Sequence, residues 1–205
     1  LGLLSRFNKR NAMQNNFEIT EFRKLTLDDE ADLSYQGAWS RVFEYPLVIK
    51  LLKKHCKEDA LIHNSSWGFA GVHVLFKEKL EEEFANVENS DIKSSSLKNT
   101  YVYDITKRCE KQYMQKYDAV LNVSTMEEVR SDHTQIFNNL MEQVRPGGLF
   151  IATFDLPGLQ LEKFENLFDR KLEVSGEPIN GTNSPDPDNR YNHLNVGLMV
   201  LRKNL

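Results

Sequence analysis

Two almost wholly apolar runs, Ala119-Val120-Leu121 leading to Val123 and Leu149-Phe150-Ile151-Ala152-Thr153-Phe154, flank one amphipathic segment, Ile136 to Val144. A strand that is apolar at successive positions has no solvent face, so each run needs cover on both sides. An amphipathic helix between two such strands reads as the crossover of a parallel pair, because parallel strands cannot be closed by a tight turn. Arg145-Pro146-Gly147-Gly148 stops the helix and starts the second strand. An α/β sheet with helices on both faces follows, with Tyr117–Val123 expected at its centre.

The remaining segments extend this pattern. Residues 1 to 34 are polar and irregular, so residues 1–39 read as an arm or lead-in and 40–205 as the folded domain. From Ser40 apolar residues recur densely to Leu52, and Lys53-Lys54-His55 supply cations suited to a helix C-terminus. Leu61–His63 reads as a strand ending in the turn Asn64-Ser65-Ser66-Trp67-Gly68, and Phe69–Phe84 as a helix. Val87–Ile92 and Thr100–Ile105 read as strands, Leu159–Phe168 as a helix, and Lys171–Gly176 and Leu194–Leu201 as two closing strands around the loop Asn180–Asn192. The order predicts a doubly wound, seven-stranded sheet, mostly parallel with an antiparallel last strand.

Composition narrows the classes. The 205 residues are 40% hydrophobic, enough for one well-covered core. Lys+Arg number 26 against 30 Asp+Glu, a net charge of −4, so no overall basic field favours nucleic acid. No apolar run approaches the roughly 20 residues that span a bilayer, and no membrane association is expected. Cys56 and Cys109 lie far apart without metal-ligand spacing, which points to reduced thiols and a cytoplasmic setting. Leu1 in the first position, with no Met before it, leads us to expect a fragment or one domain of a longer polypeptide.

Tyr117 to Val129 resembles the fourth strand and following acidic loop of the class I S-adenosylmethionine-dependent methyltransferases, and Leu140 to Ile151 resembles their helix, Pro-Gly-Gly turn and fifth strand. The resemblance covers roughly residues 40–203 and implies a Rossmann-like fold with S-adenosylmethionine as cofactor. It places the cofactor loop at Asn64, Ser65, Ser66, Trp67 and Gly68, a ribose-binding carboxylate at Asp91, a residue near the adenine at Asp104, and further lining at Asn122, Val123 and Ser124. The family's loop carries an acidic residue and three alternating glycines, where this chain has Ile62, Asn64, Ser66 and Gly68. Asn tolerates left-handed conformations and Ser is short, so both partly meet the need for a tight turn. Asp91 and Asp104 are also suited to capping turns, and Trp67 fits either a lid over the ligand or a core anchor.

The function implied is methyl transfer to a small-molecule hydroxyl, with a sugar or glycan precursor as the acceptor by analogy. Such an acceptor needs a base. Glu127, Glu128, His133, Asp155 and His193 follow strand ends, and His133 leads because imidazole titrates near neutral pH, with Glu127 as reserve. Asp132 and Gln135 at capping-box spacing give His133 a competing place in the first turn of a helix. His63 is suited equally to a buried hydrogen-bonded role and to ligand contact. No His/carboxylate set has metal-site spacing, so no metal is expected. The alternative function is a non-catalytic methyltransferase-like binding or assembly domain, which Ile62, Asn64 and Ser66 favour.

Overall fold

The computed structural model describes residues 16–36, 40–68, 71–176, 179–180 and 193–205. In chain order these form β1 (Phe17–Lys24), α1 (Arg41–His55), β2 (Leu61–Ser65), α2 (Val72–Glu83), β3 (Asn86–Asp91), β4 (Thr100–Val102) and β5 (Tyr117–Val123). There follow α3 (His133–Met141), β6 (Val144–Asp155), α4 (Leu161–Phe168), β7 (Ile179–Asn180), β8 (His193–Leu194) and β9 (Val196–Lys203). Residues 1–15 of the expected arm, Phe69 and Ala70 of the expected helix, and most of the loop before His193 lie outside the described residues.

Among the described residues seven strands make one sheet in the order β1-β9-β6-β5-β2-β3-β4. Strands β2, β3, β4, β5 and β6 pair in parallel, while β9 runs antiparallel to both β6 and β1. The doubly wound, mostly parallel sheet with an antiparallel last strand is therefore present. β5 lies between β2 and β6, and each of its residues except Asp118 is buried.

The strands' alternation sorts the core onto two faces. Ile62, Ala119, Leu121, Leu149, Ile151, Leu198 and Val200 pack under α1 and α2. Val120, Phe150, Ala152, Phe154, Met199 and Leu201 meet Phe137 of α3 and Phe164 of α4 on the other face. Gly197 of β9 pairs with Phe154 of β6, and a Cβ at Gly197 would lie 2.2 Å from the phenyl ring.

Two expectations need correction. The lead-in is not an arm throughout, since Phe17–Lys24 is an edge strand paired with β9. Its apolar residues Phe17, Ile19 and Phe22 all pack on the second core face, but the register shifts between Ile19 and Glu21. That irregularity turns a period of two into a spacing of two then three, which hides the strand from any alternation test. Conversely, Lys171–Gly176, expected as one of the two closing strands, is irregular, and β1 is the strand that borders β9. Within this segment Ser175 O accepts a hydrogen bond from Lys24 N at 2.8 Å.

Pro46 sits inside α1 and leaves the Val42 carbonyl without its helical donor. Asp32 N fills that vacancy with a 2.8 Å hydrogen bond, which straps the segment around Leu33–Tyr35 across the helix. α1 consequently buries residues on all sides, including Glu44.

Candidate functional site

A cavity of about 270 Å³ opens beyond the carboxyl ends of β2, β3 and β5. Strand order reverses here: β3 and β4 lie to one side of β2, and β5 and β6 to the other. Crevices at such switch points are where open α/β sheets bind ligands. Its floor and near wall come from Asn64 to Gly68 after β2, Asp91 ends β3, and Val123 to Thr125 leave β5. α1 contributes Arg41 and Tyr45, and α2 contributes His73 and Phe76.

The backbone at two of these strand ends is unusual. Ser66 has φ +57° and Ser124 φ +38°, conformations that side-chain-bearing residues adopt at a cost of about 1–3 kcal/mol and that gather at ligand sites. Gly68, at φ +74°, leaves room for His73, since a Cβ there would lie 2.9 Å from the imidazole. Trp67 is buried, as a core anchor would be, and also forms part of the cavity lining.

Several polar side chains near the loop hold the protein to itself. Ser65 Oγ donates to Leu121 O at 2.6 Å and accepts from Asn122 Nδ2 at 3.0 Å. Asn122 Oδ1 takes Met126 N, so Asn122 is buried and outside the cavity lining, bracing the β5 exit. Asn64 Nδ2 donates to Asn89 Oδ1 at 3.0 Å. Asp104 also lies off the lining; its Oδ1 accepts from Thr106 N and Oγ1, and these bonds hold its carboxyl below the usual range. Among the described residues Asp91 Oδ1 accepts the local Lys93 N, at 3.1 Å, and the side chain remains half-buried at the cavity.

Arg41, Tyr45, His73 and Phe76, which the sequence reading did not place at the site, complete the lining, and Glu44 bonds to Arg41 and Ser124 from outside it. Glu44 is fully buried and accepts from four groups: Ser124 Oγ and Thr153 Oγ1 on Oε1, and Ser40 Oγ and Arg41 Nη1 on Oε2. Burial opposes its charge, but Arg41 and the three hydroxyls overcome burial and hold the carboxyl below its ordinary range. Tyr45 stacks on Phe76 at 3.9 Å and its hydroxyl bonds His73 Nδ1. Burial and then Arg41 lower the His73 pKa. Arg41 and Glu44, three positions apart at the start of an otherwise apolar helix, were the available signal.

The two expected bases lie elsewhere. His133 is 3% exposed and absent from the cavity lining. Its Nε2 bonds Val129 O at 3.1 Å and its Nδ1 accepts Gln160 N at 3.2 Å, an arrangement that engages both ring nitrogens of the neutral imidazole. Asp132 caps the same helix, as the capping-box spacing predicts, by accepting from Thr134 N and Gln135 N. Glu127 also sits off the lining. Its Oε1 accepts Asp155 N at 2.8 Å, and Oε2 is buried with no hydrogen-bond partner among the described residues. Burial, aided by the charges of Glu44 and Asp155 and opposed by backbone hydrogen bonds, pushes its carboxyl up to about 8. His63 is buried beside Ser90 Oγ at 2.7 Å and the Tyr101 hydroxyl at 3.0 Å, and burial pushes it down to about 3. The side chain of His193 lies outside the described residues.

Among the described residues no cluster of three or more His, Cys, Asp or Glu is placed to hold a metal ion, and no helix is long and apolar enough to cross a membrane. Comparison with protein-family models and with curated protein sequences finds no match. Solved structures do match. A Burkholderia thailandensis 1,6-didemethyltoxoflavin-N1-methyltransferase with bound S-adenosylhomocysteine aligns over 79% of each chain, with a TM-score of 0.54 and 10% identity. The trans-methyltransferase CalH, in complex with S-adenosylhomocysteine, aligns over 78% of this chain and 55% of its own, with a TM-score of 0.51 and 13% identity. A putative methyltransferase in complex with the Haloferax volcanii Trm112 activator aligns over 81% and 92%, with a TM-score of 0.53 and 9% identity. What these matches share with the chain is its architecture: it has the fold of the class I S-adenosylmethionine-dependent methyltransferases.

Proposed function

We propose that this chain binds S-adenosylmethionine in the cavity beyond β2, β3 and β5 and transfers its methyl group to the hydroxyl of a small molecule, with a sugar-like acceptor as the first class to test. The observation that carries the reading is the meeting of Ser66–Gly68, Asp91 and Ser124 around one cavity at the switch point of the sheet. A half-buried carboxylate at the end of β3 suits the two hydroxyls of a ribose, and the positive-φ turn at Ser66 to Gly68 lets the backbone approach a ligand closely. When bound, S-adenosylmethionine supplies an electrophilic methyl group. The protein's part is to align the acceptor and take its proton. Neither His133 nor Glu127 lines the cavity, and the Glu127 carboxyl, pushed up to about 8 by burial, is mostly protonated at neutral pH, so neither is placed as that base.

One observation favours the second reading, a binding module without catalysis. Among the described residues lining the cavity, the carboxylate is Asp91 and the imidazole is His73, which is already bonded to Tyr45. Calorimetric titration with S-adenosylhomocysteine, followed by a labelled-methyl transfer assay across hydroxylated acceptors, separates the two. Binding with transfer supports the enzyme, binding without transfer supports the module, and no binding removes the cofactor from both.

A further inference from the structure

Four of the described residues that line the cavity have ionisable side chains: Arg41 and Tyr45 of α1, His73 of α2 and Asp91 of β3. Arg41 is permanently cationic, and the buried Glu44 carboxylate three positions on already answers its charge. Burial holds the Tyr45 phenol above its ordinary range, so it stays neutral. His73 is therefore the lining residue whose positive charge appears or vanishes with pH near neutrality.

The imidazole is fixed where that charge counts. Gly68 has no Cβ in the space that the ring edge fills, and the Tyr45 hydroxyl bonds Nδ1. A phenol hydroxyl donates to a neutral ring and accepts from a protonated one, so this bond survives either state. Charged groups face the ring from two other elements, Arg41 and Glu44 from α1 and Asp91 across the cavity, while the loop after β2 brings none. On α2 itself the Lys77 ammonium is paired with Glu81. Burial first and then Arg41, opposed by Glu44, hold the ring's pKa below its ordinary value, so it is neutral at neutral pH and gains charge on acidification. A cavity of about 270 Å³ is roughly 8 Å across, which brings a charge on its wall within short Coulombic range of any ligand.

We propose that His73 sets the discrimination between a nucleoside sulfonium and its neutral thioether: the neutral imidazole admits the sulfonium cation, and the protonated imidazole repels it while the thioether stays bound. The inference rests on the reading of the cavity as an S-adenosylmethionine site. S-adenosylmethionine and S-adenosylhomocysteine share adenine, ribose, amino and carboxylate groups and differ by one methyl and one positive charge. The ratio of their dissociation constants therefore isolates what the cavity does to that charge.

The test is calorimetric titration of the full chain with both ligands, above and below the midpoint of the His73 imidazole titration followed by NMR. In the wild type the dissociation constant of S-adenosylmethionine relative to that of S-adenosylhomocysteine should rise about threefold to thirtyfold on acidification, the effect of two unit charges about 8 Å apart at effective dielectric constants of about 80 to about 20. By linkage, S-adenosylmethionine should also lower the His73 midpoint relative to S-adenosylhomocysteine, a measurement that needs no variant. His73→Gln and His73→Asn are neutral at every pH and should make the ratio independent of pH. Both keep Asp91, so a pH dependence that survives in them belongs to that carboxylate and overturns the inference. A wild-type change below about threefold, equal His73 midpoints with the two ligands, or a ring that does not titrate while the chain stays folded also overturns it and leaves the cavity reading standing. Binding of neither ligand overturns the cavity reading, and this inference with it.

Discussion

The Glu44 carboxylate accepts a hydrogen bond from the Ser124 hydroxyl, 80 positions along the chain, and so joins helix α1 to the left-handed turn that leaves β5. Thr153 at the neighbouring strand end donates to the same oxygen. One buried carboxylate thereby sets the position of a helix, two strand exits and the Arg41 guanidinium on the cavity wall.

Glu44→Ala should destabilise the protein by about 3–5 kcal/mol, because it leaves the Arg41 charge largely buried without its partner. Glu44→Gln should cost less, since an amide oxygen still accepts from the hydroxyls. The folded carboxyl titrates below its ordinary range, so its contribution is present above that range and is lost as pH falls through the folded value. Urea denaturation at neutral and acidic pH checks this: the gap between wild type and Glu44→Gln should narrow on acidification, and a constant gap would refute the charged pairing.

Glu127 has the opposite sign. Its folded pKa, about 8, lies above the ordinary carboxyl value, so the native state binds the extra proton and stability falls with rising pH across that interval. The slope from this one group is at most about 1.4 kcal/mol per pH unit. In Glu127→Gln that slope should disappear between about pH 5 and about pH 8, measured by chemical denaturation at several pH values. Parallel profiles for the two proteins would show that the carboxyl is ionised in the folded state throughout.

Asp91→Ala should weaken S-adenosylhomocysteine binding by about 1–3 kcal/mol, the loss of charged hydrogen bonds, while shifting the unfolding midpoint little because the side chain is only half-buried and bonds a single local amide. Titration and thermal unfolding of the same sample report the two effects. An unchanged dissociation constant would take Asp91 out of the site.

His133→Ala should behave in reverse. It removes the ring that links Val129 O to Gln160 N, and so should cost about 1–3 kcal/mol of stability with S-adenosylhomocysteine affinity unaltered. Loss of ligand affinity at unchanged stability would return His133 to the ligand site.

Read from the chain alone, the doubly wound sheet, the central place of Tyr117–Val123, the antiparallel last strand and the Asp132 cap were all accessible. Each depends on local pattern: an apolar run demands cover on both faces, and a short acceptor before a helix meets its free amides. Of the strand-end positions that the family resemblance implied, Asn64–Gly68, Asp91, Val123 and Ser124 line the cavity, while Asp104 and Asn122 lie off it.

Tertiary structure alone decided the rest. Whether β1 or Lys171–Gly176 borders β9 depends on a pairing between residues separated by almost the whole chain, and the irregularity after Ile19 removed the periodicity that would have announced it. The roles of Glu44, Arg41 and His133 depend on partners from other elements: a glutamate inside an apolar helix has no meaning until Ser124 and Thr153 arrive to bond it, and a histidine in a helix's first turn is free or engaged according to what packs over it. Local sequence determines where hydrogen-bonding groups and apolar surfaces lie along the chain. Which of them meet is set by packing between distant segments, where burial makes every unpaired polar group costly and so selects one arrangement.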